Sequence, residues 1–491
     1  MHAPFFAATF RVLLCTLSAS VILSCDDDNA HLLPADIYMS AADDVPIFAD
    51  QLPISGDDAQ ISGDDAQISG EDSQISGDDI TISDDDAQIS GDDAQISGDD
   101  MTISDDDTPT LDDTSQPTTD ILASAWVDGV VGPPFPPRAE LLFLPGGGEG
   151  PPVITSNNPE EFTGPGLLYG IARASAARGG TSYPLSGDFG VYLHHLNRSG
   201  STKYITILVT NPNPDPVTVS AHGSGYNQTE TGGLGLGTSP DFVVSRDWIT
   251  ADYDTVLNTA TLESFRPLVV WQKPVNNNAE MDGRFEIHSS APVYVYVVAT
   301  DTADINDAVT QSLTDAPGDY RTSGTPPPPF GREAGVYAHD TWKGAWSVAV
   351  PAGDTITKRI GFMVNTATGA GFPQIQAFPA LTHYDQSAAE AVGMYGNIYD
   401  LSVTLTHDNA DTNPRQVRVI FASLVTGNIS RYWDGAAEVN GQIITLQHTP
   451  QSPSTVIQTV TLQPAQSQTV HLRAMVPGLT SIPQALYLES F

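Results

Sequence analysis

The sequence predicts an all-β protein: two antiparallel β-sandwich-like domains preceded by a disordered acidic heptad-repeat stalk. Three observations carry that prediction. From Arg138 onward, β-branched runs are punctuated by Pro, Asn and Asp turns, and no long stretch holds a helical period. Ahead of them, residues 26–137 are acidic and repetitive.

Taken in chain order, residues 1–24 read as a signal peptide. One positive charge, Arg11, precedes the uncharged apolar run Val12 to Leu23, the length of a signal h-region and too short to span a bilayer. No later stretch approaches the roughly 18 consecutive apolar residues of a transmembrane helix. Any membrane attachment therefore has to come from this end. Cys25 closes the run and is followed at once by Asp26-Asp27-Asp28, while the other cysteine, Cys15, lies inside the run. A chain cut before Cys25 keeps one thiol, at its first position, where it has no internal partner for a disulfide. The tetrad Ile22-Leu23-Ser24-Cys25 resembles the lipobox of bacterial lipoproteins: an aliphatic residue, a tolerant position, a small residue, then Cys. That resemblance implies lipid attachment at Cys25, with diacylglyceryl on sulfur and an acyl group on the amine, since stable anchoring takes more than one buried chain. The expected product is an exported, membrane-anchored lipoprotein at the cell envelope or surface. An ordinary signal peptide with a soluble product is the alternative.

Charge divides the rest of the chain. Residues 26–137 hold 29 of the 60 acidic residues and no Lys or Arg, which leaves 31 acidic against 18 basic residues from Arg138 on. The formal charge of −41 is thus mostly a property of the N-terminal tract. Such a tract repels nucleic acid and anionic headgroups, so neither is an expected partner. After an acidic linker over 25–53, eight heptads run from Ile54 to Pro109, with Ile-Ser-Gly-Asp-Asp-Ala-Gln beginning at Ile54, Ile61 and Ile89. A coiled coil is excluded, because a seam needs two apolar positions per heptad and these repeats offer one dependable position beside Gly and Asp. Low hydrophobicity and like-charge repulsion predict a disordered, extended stalk over 54–109. The alternative is a calcium-ordered β-roll, carboxylate and carbonyl oxygens being the ligands calcium takes. A Thr/Pro/Asp linker spans 110–137.

Domain 1 is expected over 138–323. Tyr204 to Thr210, the turn Asn211-Pro212-Asn213-Pro214-Asp215-Pro216 and Val217 to Ser220 read as strand, turn, strand. Phe285 to His288 and Pro292 to Val298 read as a second pair across Ser289-Ser290. A proline linker comes next at 324–330, because Pro326 to Pro329 cannot sit in a central strand. Domain 2, over 331–491, repeats the grammar: Leu401 to Thr406, a turn to Pro414, then Gln416 to Phe421. Val350 to Ile356 and Leu462 to Val470 share a strand, Pro-Ala turn, strand phrase. Ser387 to Met394 is the one short helix expected.

Several phrases, in order, resemble a family of exported β-rich proteins of unknown function known chiefly from cyanobacteria. They are Leu142-Phe143-Leu144-Pro145-Gly146-Gly147, Asp188 to His195, the Asn-Pro turn at Asn211, and Gly331-Arg332-Glu333-Ala334-Gly335-Val336. The likeness covers roughly residues 140 to 491. It implies export and a β fold, and brings no activity and no catalytic residue.

No catalytic residue, metal ligand or cofactor is assigned from the residues. His194 and His195 are adjacent, so in a strand they point to opposite faces and do not readily share a metal; with Asp188 and Asn197 near, a strand edge with one packed and one exposed ring is the plainer reading. Gly335-Val336-Tyr337-Ala338-His339 echoes Gly190-Val191-Tyr192-Leu193-His194. Asp301, Asp304, Asn306 and Asp307, and Asp408, Asp411 and Asn413, leave calcium open but read first as polar turns. The glycines at 146–148 and 232–237 lack the Lys-Ser/Thr of a phosphate loop. Trp342, Trp346, Tyr432 and Trp433 would suit stacking on sugar rings if exposed, but core packing is the better reading for any one of them. The expected function is a non-catalytic cell-surface lipoprotein displaying β-sandwich binding or structural domains on an acidic spacer, its partners the membrane through the lipid and a polysaccharide, protein or other envelope material. The alternative is a carbohydrate-active, glycoside-cleaving enzyme. That reading needs paired carboxylates at glycosidase separations, for which Glu286 and Asp340 are starting points and not assigned sites.

Metabolic labelling with a fatty acid checks the anchor: label enters the wild type and is absent from Cys25→Ala, and label that persists in the variant excludes attachment there.

Overall fold

The computed structural model describes short strands between residues 37 and 103, then residues 126–128, 141–171, 182–229, 235–321, 331–351, 357–365, 376–407, 412–425, 432–478 and 480–491. Cys25, the signal region and the proline run at 324–330 lie outside the described residues. The chain forms two compact units, Met1–Thr114 and Ser115–Phe491. Strand dominates, and two short helices are its helical elements among the described residues. None of the helices is long and apolar enough to cross a membrane.

In the first unit the heptads form strands, where charge and composition predict a disordered stalk. Asp58–Ser62, Asp79–Ser83 and Asp100–Ile103 pair in parallel, with Asp58 opposite Asp79 and Asp79 opposite Asp100. Ile47 faces Ile68 and Ile68 faces Ile89 in a second sheet, and Ile54 faces Ile75 in a third. Partners are therefore 21 residues apart, three heptads, which is the pattern of a parallel β-solenoid with one strand per heptad and three sheets. The same super-repeat is written in the residues. Asp79-Ile80-Thr81-Ile82 and Asp100-Met101-Thr102-Ile103 depart from the Ala-Gln version of the heptad at positions 21 apart and lie opposite each other. Repulsion between neighbouring heptads misses this, because the backbone of each strand pairs with a heptad three repeats away.

Among the described residues the second unit holds two large hydrophobic cores with smaller satellite clusters beside them. Its later part is a sandwich. One sheet has the order Val127–Asp128, Lys358–Val364, Gln484–Ser490, Arg415–Ser423, Ser454–Leu462; the other has Gly147–Glu149, Thr341–Val350, Ile398–His407, Ser467–Met475, Trp433–Val439, Gln442–His448. The strand Thr341–Val350 shows how sequence sets the layers: Trp342, Gly344, Trp346, Val348 and Val350 are buried while the residues between them are not. Trp346 packs against Phe362 across the sandwich, with ring centroids 5.1 Å apart. Trp126 joins this core and donates from Nε1 to the Ala349 carbonyl at 3.0 Å, so folded structure begins inside the stretch expected to be linker.

The earlier part is organised by the 22-residue strand Ala279–Thr300. Its first half pairs with Leu185–Asn197 and Val217–Thr229, and its second half with Lys203–Thr210 and Gly166–Gly170. The predicted hairpin across Ser289-Ser290 is thus one strand that changes partners. Pro292 has no N–H to give to a ladder, Ser289 turns its hydroxyl to the Ala291 carbonyl, and Ser290 accepts from Thr218 N. The strands on either side of Asn211 form where predicted but take different partners, Lys203–Thr210 pairing with Pro267–Val275 and Val217–Thr229 with Thr255–Leu262. Asn211 builds the arch between them, donating to Asp215 and Leu262 carbonyls and accepting from Asn213 N. Ile398–His407 and Arg415–Ser423 repeat the arch between the sandwich sheets.

Most sheet pairing is antiparallel. Three parallel pairs stand out among the described strands of the second unit, Val153–Ser156 and Glu161–Phe162 with Leu185–Asn197, and Thr341–Val350 with Ile398–His407. Strands also cross the proline boundary: Gly147–Glu149 joins the later sandwich, and Ala334–Tyr337 pairs with Val153–Ser156 in the earlier sheet.

Ser387 to Met394 is not helical. Its amides bond to other segments, Ala388 N to Arg332 O and Ala391 N to Phe378 O, and Met394 sits at φ 58°. The helices lie elsewhere. In Pro240–Thr250, Ser239 caps the N-terminus by accepting from Phe242 N, Pro240 opens the first turn, and Asp241 complements the helix dipole. In Ile305–Gln311, Asp304 is the cap.

Replacing Trp346, 2% exposed, with Ala is expected to cost about 3–5 kcal/mol of stability, read from the shift of the denaturant midpoint.

Candidate functional site in a buried charged seam

The opening of the long strand alternates strictly. Met281, Phe285 and Ile287 enter the earlier core, while Glu280, Asp282, Arg284, Glu286 and His288 take the other face. Charged alternation of this kind ordinarily marks a face in water. Here the helix Pro240–Thr250 covers its first half, so that Glu280, Asp282 and Arg284 are 4%, 1% and 0% exposed. The neighbouring strand Leu185–Asn197 sends Val191 and Leu193 into the same core and sets Tyr192 opposite Arg284, His194 opposite Asp282 and Leu196 opposite Glu280.

Arg284 is the centre of the seam. Its Nη2 donates to Asp340 Oδ2 at 2.7 Å, its Nη1 to the Phe285 carbonyl at 2.7 Å and its Nε to the Gly396 carbonyl at 3.1 Å. The guanidinium stacks 4.5 Å from the Trp248 ring of the helix. Gly190 makes room for it, since a Cβ there would collide with Nη1. Asp340 also accepts from Thr341 Oγ1 at 2.8 Å.

The two adjacent histidines occupy opposite environments, and both are buried at 4% and 0%. The expected exposed ring is covered because both faces of this strand are packed: His194 meets Asp282, Asp241 and Glu280 on one, and His195 meets Ser156, Pro159 and Phe162 on the other. His194 Nδ1 lies 2.7 Å from Asp282 Oδ1, and the Tyr192 hydroxyl donates to the same oxygen at 3.2 Å. Burial acts to lower the His194 pKa, but Asp282, with Glu280 and Asp241 behind it, reverses this and holds it well above the ordinary value. His195 sits between Ser156 Oγ and the Pro159 carbonyl, each at 2.9 Å. Burial drives its pKa down to about 3, so its ring is neutral. His194, Asp241, Glu280 and Asp282 each offer one ligand atom, and these atoms all lie within 4.8 Å of one another. Asp188 is not among them; it pairs with exposed His288 at 2.7 Å. Asn197 braces a turn through Ser201 and Val275 carbonyls.

The other residues nominated by sequence are absorbed by structure. Trp342, Trp346, Tyr432 and Trp433 are buried, at 8%, 2%, 4% and 0%, and present no rings to sugars. Asp304 caps a helix, Asp307 accepts from Thr302 N and Oγ1, and Asp301 pairs with Lys203 at 2.8 Å. Asp408 and Asp411 lie outside the described residues. His339 packs edge-on against Phe378 and is not part of the seam cluster. Sequence reasoning missed Asp241, Glu280, Asp282 and Arg284. The Ser239-Pro240-Asp241 cap signal and the strict alternation from Ala279 were the available clues.

The fold and the seam define a β-rich protein with ionisable groups sealed inside it. Residues 140–232 match a family described as a protein of unknown function (DUF3370); of the four clustered residues only His194 falls in that stretch. No curated protein matches the chain. Among solved structures, it is 8% identical to Fet3p, described as a multicopper oxidase that functions in iron import, over 59% of this chain and 52% of that one, with a TM-score of 0.09. A multicopper oxidase from Campylobacter jejuni, described as a metallo-oxidase, is 6% identical over 59% and 48%, also with a TM-score of 0.09. The chain thus spans about half the length of each, and at that TM-score neither bears on its fold or chemistry.

Beside the seam, burial raises Glu333 to about 8 from 4.5. Between those values the folded state keeps the proton and the unfolded state loses it, so stability falls as pH rises through this window. Glu333→Gln cannot ionise. Its melting temperature is expected to gain on the wild type steadily between about pH 4.5 and about pH 8, measured by thermal unfolding in a buffer series.

Proposed function

We propose that the chain is an exported lipoprotein, anchored through Cys25, whose β-rich unit is a non-catalytic binding or structural module for envelope material, either polysaccharide or protein. The observation that carries the non-catalytic reading is where the ionisable groups lie. Asp340, one starting point for a hydrolytic pair, is buried and held by Arg284 and Thr341; the other, Glu286, faces His222 at 3.6 Å. General acid catalysis needs a carboxyl group within reach of substrate, and a guanidinium-bound carboxylate under a helix serves the fold instead. Contacts with a ligand fall to the surface. The exposed rings there, among the described residues, include Phe143, Tyr183, Tyr226, Phe491 and Phe265, the last 73% exposed at a turn where its φ is 56°. Rings presented this way suit apolar or stacking contact.

A glycan array run together with a hydrolysis screen on the purified protein checks the reading. Retention of an envelope glycan or protein without turnover is the expected result, and hydrolysis of any glycoside overturns it in favour of the enzyme.

A further inference from the structure

We propose that His194, Asp241, Glu280 and Asp282 form a closed site for one divalent first-row transition-metal ion, which fastens the helix Pro240–Thr250 to the sheet behind it. Placement supports this first. Glu280 and Asp282 are two residues apart on one face of a strand, His194 is directly opposite Asp282 on the next strand, and Asp241 reaches in from the first turn of the helix. Their ligand atoms all lie within 4.8 Å of one another. A tetrahedral zinc site with bonds of about 2.1 Å sets its ligand atoms roughly 3.4 Å apart. The four side chains therefore need only small adjustments to close on an ion.

Two further observations point to a ligand. Asp282 is 1% exposed, and its Oδ2 has no hydrogen-bond partner among the described residues. A buried carboxylate oxygen left in that state is costly unless something positive meets it. The second is Gly478, in the turn after Ser467–Met475. A Cβ there would come within 2.6 Å of Asp241 Oδ1, 2.6 Å of the Tyr192 hydroxyl and 2.8 Å of His194 Nδ1, so glycine keeps a small space open over the cluster.

The donor set selects the ion. Three carboxylates and one imidazole contain no sulfur, which disfavours copper(I) and other soft ions. Calcium takes six to eight oxygens, and magnesium keeps several waters, for which four buried protein ligands leave little room. Zinc or manganese suits mixed nitrogen and carboxylate donors. Four protein ligands, all buried, match the closed character of structural sites; a catalytic site leaves one position open. The ion would neutralise carboxylates whose gathering is otherwise opposed by their own repulsion.

The test uses the whole mature protein, stripped with a chelator, exposed to zinc and passed through gel filtration to remove ions held loosely by the acidic heptads. Wild type is expected to keep one equivalent of zinc and to gain roughly 2 °C or more in melting temperature. Asp282→Asn and Glu280→Gln are expected to keep less than a tenth of that zinc, while Asp188→Asn, at the exposed His288 pair, keeps all of it. Wild type that retains no zinc, or Asp282→Asn that keeps all of it, overturns the site. Should either variant fail to fold, cobalt in the wild type decides. The intense visible bands of a four-coordinate site support the assignment, and the weak bands of a six-coordinate, water-rich ion overturn it.

Discussion

The second unit of this protein depends on an arginine with no access to water. Arg284 is fully buried, and three of its nitrogens are matched to the Asp340 carboxylate and to the carbonyls of Phe285 and Gly396. A buried guanidinium is tolerable only when its donors are answered in this way, and removing one member of such a pair ordinarily costs about 3–5 kcal/mol. Each partner belongs to a different piece of chain. Phe285 lies in the same strand, Asp340 immediately precedes Thr341–Val350, Gly396 precedes Ile398–His407, and Trp248 lies in the helix. One side chain therefore fixes the relative position of four elements.

This explains why two apolar cores coexist without merging. The sheet built on Leu185–Asn197 and Ala279–Thr300 gives its odd-numbered side chains to one core, and its even-numbered ones to the charged layer. Apolar contact is nearly indifferent to sliding, whereas hydrogen-bonded charges tolerate little displacement. The hydrophobic surfaces bury most of the apolar area, and the seam adds hydrogen bonds whose geometry suits one docking of these elements. Ser239 and Asp434 extend the principle to the edge of the layer. Asp434 accepts from Gly237 N and from Ser239 Oγ at 2.9 Å each, tying the helix cap to the later sandwich.

The strand grammar was open to reading because β-branched runs and Asn-Pro turns are local signals. Tyr204 to Thr210 and Leu401 to Thr406 fall inside observed strands for that reason. What those strands pair with is not local, and the arches at Asn211 and after His407 read like hairpins until the sheets are seen. The heptads hid their order differently, since pairing at 21 residues appears only when every third repeat is compared. The candidate site was the least accessible of all. Glu280, Asp282 and Arg284 alternate with apolar residues as a solvated strand face would, and nothing near them in sequence announces the helix that covers them. His194 and His195 were correctly set on opposite faces by the two-residue period, but burial of both required a packed layer on each face, which the sequence around them does not specify.

The paired histidines give strand Leu185–Asn197 a property beyond packing. Shifting this strand by one residue against Ala279–Thr300 would exchange the two rings, taking one away from the three carboxylates and the other away from the Ser156 hydroxyl and the Pro159 carbonyl. Hydrophobic residues alone would resist such a slip weakly, because apolar side chains stand on both sides of the strand. The two unlike sets of polar partners thus help to specify one register.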